Sequence, residues 1–264
     1  DIDVLKQRLG DYEVITMQNA TVGKDHDVNC HLPWTQGKIF SKLETFRTTT
    51  DEILEGGSTK TIVIPPASRS DRAFNKSMDD IFHNMLHELE LERLGGAWSA
   101  GLANSALVQL WLGAGNEEMN IGTSWHADIC NNFIVQVVGK NDWTFVHSKY
   151  SKFMRPTMKR GKTAISGADI SIKTEVLPYL PKQTVTITPG DMMYNPDWYW
   201  HKVINHPGPA VAVVARECNF TNSFAANPMF TSMILTNHVV AGLTGDSYAK
   251  TRLLAFLNGD SLMK

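Results

Sequence analysis

The sequence predicts a mainly β protein with flanking helices, built around a jelly roll, and three observations carry that prediction. From residue 107 to 219 short apolar runs alternate with Gly, Pro and Asn turns, as packed antiparallel strands require. Before that stretch, residues 77–94 carry a clear helical period, and after Asn227-Pro228 the pattern becomes helical again. With 264 residues, 42% of them hydrophobic, the chain can bury one sizeable core. No internal repeat or low-complexity linker divides it. We therefore expect a single domain over 1–264, with N-terminal strands and a helix in 1–106, the jelly roll in 107–219 and C-terminal helices in 220–264.

Taken in order, Tyr12–Met17 and Thr61–Pro65 read as early strands from their β-branched content and bounding Pro or Gly. Ser77–Leu94 reads as a helix because Met78, Ile81, Phe82, Met85, Leu86 and Leu89 share one face. Ser77 and Asp80 fit a capping box, and Gly95-Gly96 stops the helix. Residues 107–115, 122–128 and 131–140 supply successive strands. Pro189-Gly190-Asp191 turns the chain into a further apolar stretch that ends in Trp198-Tyr199-Trp200-His201, an aromatic group expected to pack the strand at His201, with one ring lining the substrate pocket as the alternative. Residues 210–216 form an apolar strand ending in Arg216, and 229–235 and 248–257 read as helices.

Composition narrows the function classes. A net charge of -2 argues against a mainly electrostatic binder of nucleic acid or membrane surfaces. No apolar stretch reaches membrane-spanning length. The expectation is a soluble protein of the cytoplasm or an organelle lumen; a chain that starts at Asp1 leaves a removed leader open. Cys30, Cys130 and Cys218 are odd in number and contain no CxxC, so neither a disulfide framework nor a zinc knuckle is expected. The sequons at Asn19, Asn75 and Asn219 read as chance, since Asn219 falls at the end of a core strand.

The chemistry centres on His126 and Asp128. Two residues apart on a strand, they point to the same face. A distant His201 would complete a set of two His and one carboxylate, which covers one face of an octahedral ion and leaves three positions open. A solitary strand His is more often structural than a ligand, so the pattern gains its weight from its surroundings. His83 and His87 share the i, i+4 spacing of a chelating pair, but residue 84 is Asn, no third ligand is evident, and Asp79, Glu88 and Glu92 mark a solvated face. Gly113 and Gly115 lack the third Gly and the βαβ context of a dinucleotide site.

Those surroundings are residues 107–115, Gly122–Asp128, 131–140 and the run Pro189–His201, and together they resemble the JmjC-type, cupin-fold Fe(II)/2-oxoglutarate oxygenases, notably the small hydroxylases near the asparaginyl and arginyl hydroxylases. The resemblance covers about residues 107–219. It implies a double-stranded β-helix in which His126, Asp128 and His201 hold Fe(II), with 2-oxoglutarate as cosubstrate and O2 as oxidant. It implies that Thr123 and Asn132 contact 2-oxoglutarate; counted from His126, Asn132 has the parity of the interior. The family's distal-carboxylate Lys, fifteen residues after the first ligand, is Asn141 here. Arg216 is the favoured replacement, because a buried guanidinium wants a carboxylate partner, with an ion pair to Glu217 or another acid, or a substrate carboxylate, as the alternatives. Lys140 would need a bulge to turn inward. With a carboxylate ligand present as Asp128, a halide finds no vacant ligand site, so halogenation is disfavoured.

Between Lys149 and Lys162 the chain carries Lys149, Lys152, Arg155, Lys159, Arg160 and Lys162 without an acid. That run is either a solvated loop or a rim attracting an anionic substrate. The expected substrate is a small, anionic molecule, with a peptide or protein side chain as the alternative; the oligomeric state is open. Two other classes stay in view: a cupin metalloenzyme that does not use 2-oxoglutarate, and a non-catalytic module that keeps a metal.

Overall fold

A computed structural model describes residues 2–9, 13–18, 20–23, 40–55, 60–64, 104–115, 119–154, 156–157, 164–167 and 176–243. The expected helices at 77–94 and 248–257 lie outside them, as do His83 and His87. In chain order the elements are α1 (Ile2–Leu9), β1 (Glu13–Gln18), β2 (Ala20–Gly23), β3 (Phe40–Thr45), α2 (Phe46–Leu54), β4 (Lys60–Ile64), β5 (Asn104–Gly115), β6 (Met119–Asp128) and β7 (Asn131–Val138). They continue as β8 (Asn141–Val146), a 3-10 turn (Ser148–Met154), β9 (Pro156–Thr157), β10 (Ala164–Gly167), a second 3-10 turn (Leu177–Tyr179), β11 (Gln183–Ile187), β12 (Met192–Asn195), β13 (Trp200–Asn205), β14 (Gly208–Asn219), α3 (Phe220–Ala226) and α4 (Pro228–Leu243).

The strands form two antiparallel sheets. The first has the order β12-β7-β14-β5-β4-β1-β3, and the second β11-β8-β13-β6-β10-β9 with β2 paired to β6. From β5 to β8 and again from β11 to β14 the chain passes back and forth between them, which is the jelly-roll connection expected from the turn spacing. Inside the first sheet β14 lies between β5 and β7, and its residues 210–215 are all buried. A run of Ala and Val suits that place, because both faces of the strand are covered. In β7 burial alternates, with Asn132, Ile134 and Gln136 inside.

Three local findings depart from the sequence expectations. Helix α2 was not anticipated, although Phe46, Thr49, Thr50 and Ile53 are buried at helical spacing. Half of that stripe is Thr, which an apolar count misses; Thr45 caps the helix by accepting from the Thr48 amide at 3.3 Å. Second, Cys130 is disulfide-bonded, against the expectation of no bridge. An odd number of cysteines forbids only complete pairing. Third, the link at Ile129-Cys130 carries the chain from the second sheet to the first, so parity cannot be counted from His126 to Asn132. Asn132 faces inward through the alternation of β7 itself.

The C-terminal helices close one end of the sandwich. Trp198 and Trp200 bury their rings against Phe230 of α4, at 5.7 and 6.5 Å between centroids. Both indoles are satisfied: Trp198 Nε1 donates to the Ser223 carbonyl at 2.9 Å and Trp200 Nε1 to Ser151 Oγ at 2.8 Å. The aromatic group therefore packs the strand entry, as expected. Asn219 ends β14 and caps α3 by accepting from the Asn222 amide at 2.9 Å. No described helix is long and apolar enough to cross a membrane.

Candidate metal centre

His126 and Asp128 come from the end of β6, and His201 from the start of β13. The register of the second sheet makes His126 and His201 direct partners, with ring centroids 4.1 Å apart. A register shift follows at once: His201 pairs with His126, but Val203 pairs with Thr123, so β6 carries one extra residue there. Such a bulge re-aims side chains beside a site. The next turn does the same for His201. Trp198 has φ 61, rare for a bulky residue, and its amide donates to the Asp128 carbonyl at 2.8 Å. One ligand atom from each of His126, Asp128 and His201 lies within 4.8 Å of the others, and all three residues are buried.

The electrostatics suit a cation. Burial pushes the Asp128 carboxyl upward, but Arg216 foremost, then His126, His201 and the Asn132 hydrogen bond, bring it below its ordinary value. Arg216 Nη1 and Asn132 Nδ2 each donate to Asp128 Oδ2 at 3.2 Å. Burial, reinforced by His126, lowers His201 to about 3 despite the opposing pull of Asp128, so its imidazole is neutral at ordinary pH. His201 Nδ1 is 3.0 Å from the Tyr199 carbonyl, which can only accept; Nδ1 therefore carries the proton and Nε2 is free to bind a metal.

These ligands border a cavity of about 70 Å³ between the sheets. Beyond them its wall holds Trp111, Thr123, Asn132, Asn141, Trp143 and Arg216 among others. Trp143 stacks on His201 at 5.6 Å. Thr123 Oγ1, Asn132 Oδ1, Asn141 Oδ1, Trp143 Nε1 and Arg216 Nε are buried with no hydrogen-bond partner among the described residues. Buried polar atoms seldom stay unpaired, so their convergence on one cavity points to a polar ligand.

Of the residues expected at the site, His126, Asp128, His201, Thr123, Asn132 and Arg216 all line this cavity. Lys140 does not: β7 carries one extra residue between Gln136 and Val138, opposite Val211 and Ala212, yet Lys140 stays exposed in the turn between β7 and β8, where Gly139 takes φ 73. Arg216 forms an ion pair with Asp128, the protein-acid alternative, while keeping Nε unpartnered. Lys149 and Lys152 lie over the rings of Tyr150 and Phe153 at 5.0 and 4.8 Å, away from the cavity wall. Arg155, Lys159, Arg160 and Lys162 fall outside the described residues. Sequence reasoning missed Trp143, Trp111 and Asn195. An inward-facing Trp two residues after Asn141 was the available signal for the first, whereas Asn195 reads as part of a turn before Pro196.

The family model of the cupin-like domain matches residues 2–226. None of the curated proteins compared with the chain matches it. Among solved structures, the chain aligns with Peruvianin-I, a cysteine peptidase from Thevetia peruviana latex, at 11% identity and TM-score 0.29, covering 44% of this chain and 51% of that one. It also aligns with hydroquinone 1,2-dioxygenase from Sphingomonas sp. TTNP3 with 4-hydroxybenzoate bound, at 13% identity and TM-score 0.31, covering 43% and 59%. Drosophila melanogaster CENP-C bound to CAL1 aligns at 9% identity and TM-score 0.27, covering 41% and 60%. Each alignment spans about half to three-fifths of the other protein's length. Over most of its length, then, the chain belongs to the cupin-like domain family.

Proposed function

We propose that this protein is an Fe(II)- and 2-oxoglutarate-dependent oxygenase of the JmjC-related type that hydroxylates, or oxidatively desaturates or cyclises, an unactivated C–H. The observation that carries the reading is the buried set of two imidazoles and one carboxylate opening onto a cavity with unpartnered polar atoms. A closed structural site would offer four ligands; three leave room for substrate and oxidant. When bound, iron would activate O2 as the oxidant, with 2-oxoglutarate as the two-electron reductant that leaves as succinate and CO2.

The residues present fit both groups. His126, Asp128 and His201 would hold the ion. The Asp128 and Arg216 charges cancel, and both imidazoles are neutral as ligands, so a divalent ion leaves two positive charges in a buried site. A dianion such as 2-oxoglutarate cancels them. Arg216, through its unpartnered Nε, is the cation that would receive one carboxylate. Thr123 Oγ1 and Trp143 Nε1 would donate neutral hydrogen bonds to the rest of the cosubstrate, as would the second hydrogen of Asn141 Nδ2, whose first goes to Gln136, and the stacked Trp143 would keep water from the His201 side.

For the substrate we propose a small anionic molecule, which the exposed Lys149 and Lys152 would attract at long range although they do not line the cavity. A second reading, a cupin metalloenzyme that does not use 2-oxoglutarate, is favoured by one observation: Arg216 already gives Nη1 to Asp128. The test is succinate production from 2-oxoglutarate by the purified protein with Fe(II) under air. Metal binding without succinate, across a broad metabolite and peptide panel, would favour the second reading.

A further inference from the structure

In the first sheet, Asn195 of β12 is the direct partner of Asn132 of β7, and Asn132 is the direct partner of Arg216 of β14. The three thus form one row across neighbouring strands. Each reaches the opposite sheet. Asn195 Nδ2 is 3.3 Å from His201 Nδ1, while Asn132 Nδ2 and Arg216 Nη1 both lie 3.2 Å from Asp128 Oδ2. We propose that this row is the positioning device of the metal centre, fixing which oxygen of Asp128 and which nitrogen of His201 face the ion. The inference rests on the reading of His126, Asp128 and His201 as metal ligands.

The physical argument begins with Asp128. Two donors on Oδ2 saturate that oxygen, so Oδ1 is the one presented to a metal. Ligation through one oxygen keeps three positions open, whereas a carboxylate binding through both would take a fourth. At His201 the Nδ1 proton points to the Tyr199 carbonyl and to Asn195. An N–H cannot accept from the Asn195 amide nitrogen, so the amide must turn its oxygen to the ring. That orientation puts Asn195 Oδ1 on the ring N–H and turns Nδ2 to the buried side where Oδ1 has no partner among the described residues. His201 is then held in the tautomer that leaves Nε2 for the ion.

The placement argues against ordinary packing. Asn132 and Asn195 are 2% and 0% exposed, and the next inward positions on β7 and β14 are Ile134 and Val214. A polar side chain at such a position is costly unless it makes hydrogen bonds, and here those bonds go to the ligands. The row also explains why three residues 21 to 84 positions apart act on one centre: the strand register, not the chain order, brings them together.

The test uses Mn(II) affinity and the visible spectrum of the Co(II)-loaded protein, with no turnover required. Asn132→Leu and Asn195→Leu should each weaken Mn(II) binding by about 10- to 100-fold, the usual cost of losing an outer-shell partner, and should alter the Co(II) spectrum. Asn195→Asp should keep the wild-type spectrum, because a carboxylate still accepts the His201 Nδ1 proton. Circular dichroism of the metal-free proteins establishes that each variant is folded. Asn132→Ser and Asn195→Ser shorten the side chains without adding an apolar group; they carry the same expectation and are read where a leucine variant does not fold. Folded variants that bind Mn(II) within about twofold of wild type with unchanged Co(II) spectra would overturn the proposal. So would an Asn195→Asp spectrum as altered as that of Asn195→Leu. Wild-type protein that binds neither ion would instead contradict the metal reading itself.

Discussion

At the metal end of the cavity the ligands Asp128 and His201 have hydrogen-bond partners, whereas a few residues farther along the same walls buried side-chain atoms have none among the described residues. Asp128 takes bonds from Asn132 and Arg216, and His201 gives one to the Tyr199 carbonyl. Thr123, Trp143 and Asn141 pair in register with Val203 and Asn205 along β13, two and four residues from His201, and their side chains hold unpartnered buried atoms. That is about 7 to 13 Å of strand. The first region is preorganised before any ligand arrives; the second is shaped for a ligand that must supply the missing hydrogen bonds. Rigid ligation beside an unsatisfied pocket is what a site needs to hold an ion and exchange a cosubstrate.

The largest expected effect breaks the first region. Asp128→Ala should abolish metal-dependent turnover and leave a folded protein. It also strands the Arg216 charge, which is 15% exposed, so a loss of about 3 kcal/mol or less in unfolding free energy should appear in urea titration. Full turnover in this variant, or in both His126→Ala and His201→Ala, would refute the assignment.

Arg216→Met separates the two regions. It should weaken 2-oxoglutarate binding by about 2–4 kcal/mol, the scale for losing one partner of a buried charged pair. Divalent-ion affinity, measured by competition with a chelating dye, loses an Oδ2 donor that orients Asp128 but gains from removal of a neighbouring positive charge, so it should fall less than in Asn132→Leu. Lys140→Met, on the exposed turn, should change neither.

A smaller effect belongs to the second region. Thr123→Val and Asn141→Leu should each raise the apparent Michaelis constant for 2-oxoglutarate by about 3- to 10-fold, the worth of one neutral hydrogen bond. An unchanged constant in both would leave the unpartnered atoms without a role in cosubstrate binding.

The smallest effect is a pH dependence of the metal-free fold. His201 is held at about 3 against an ordinary 6.5. Between those values the unfolded chain takes up a proton that the folded chain refuses, so stability must fall as pH drops through this window. The slope from this one group is at most about 1.4 kcal/mol per pH unit. Asp128, lowered in the fold, adds stability above its ordinary 3.8 that is lost only below that range. His201→Leu should flatten the decline between pH 6 and 4; an equally steep decline would mean that other groups cause it.

Much of this contrast was legible in the chain, and the reason is local. His126 and Asp128 share a strand face by period two, and His201 ends a distinctive aromatic run, so the triad needed no three-dimensional information. The jelly roll was equally legible, because β-branched runs between turn residues suffice to mark strands. The row of Asn195, Asn132 and Arg216 was not, since it exists only in the register between strands far apart in sequence. Lys140 looked plausible beside Asn141 until the tight turn at Gly139 left it outside. Asn132 was placed inward by a parity counted across a sheet change, so the placement was right and its reason was not.

The central claim is that the preorganised end binds Fe(II) so that the unsatisfied end can bind 2-oxoglutarate. Anaerobic titration of 2-oxoglutarate into the protein, with and without Fe(II), followed by admission of air and quantification of succinate, tests it most directly. The account predicts saturable binding that requires Fe(II), is lost in Asp128→Ala and is weakened in Arg216→Met, with succinate formed once O2 enters. Fe(II) binding with no effect of 2-oxoglutarate and no succinate would contradict it.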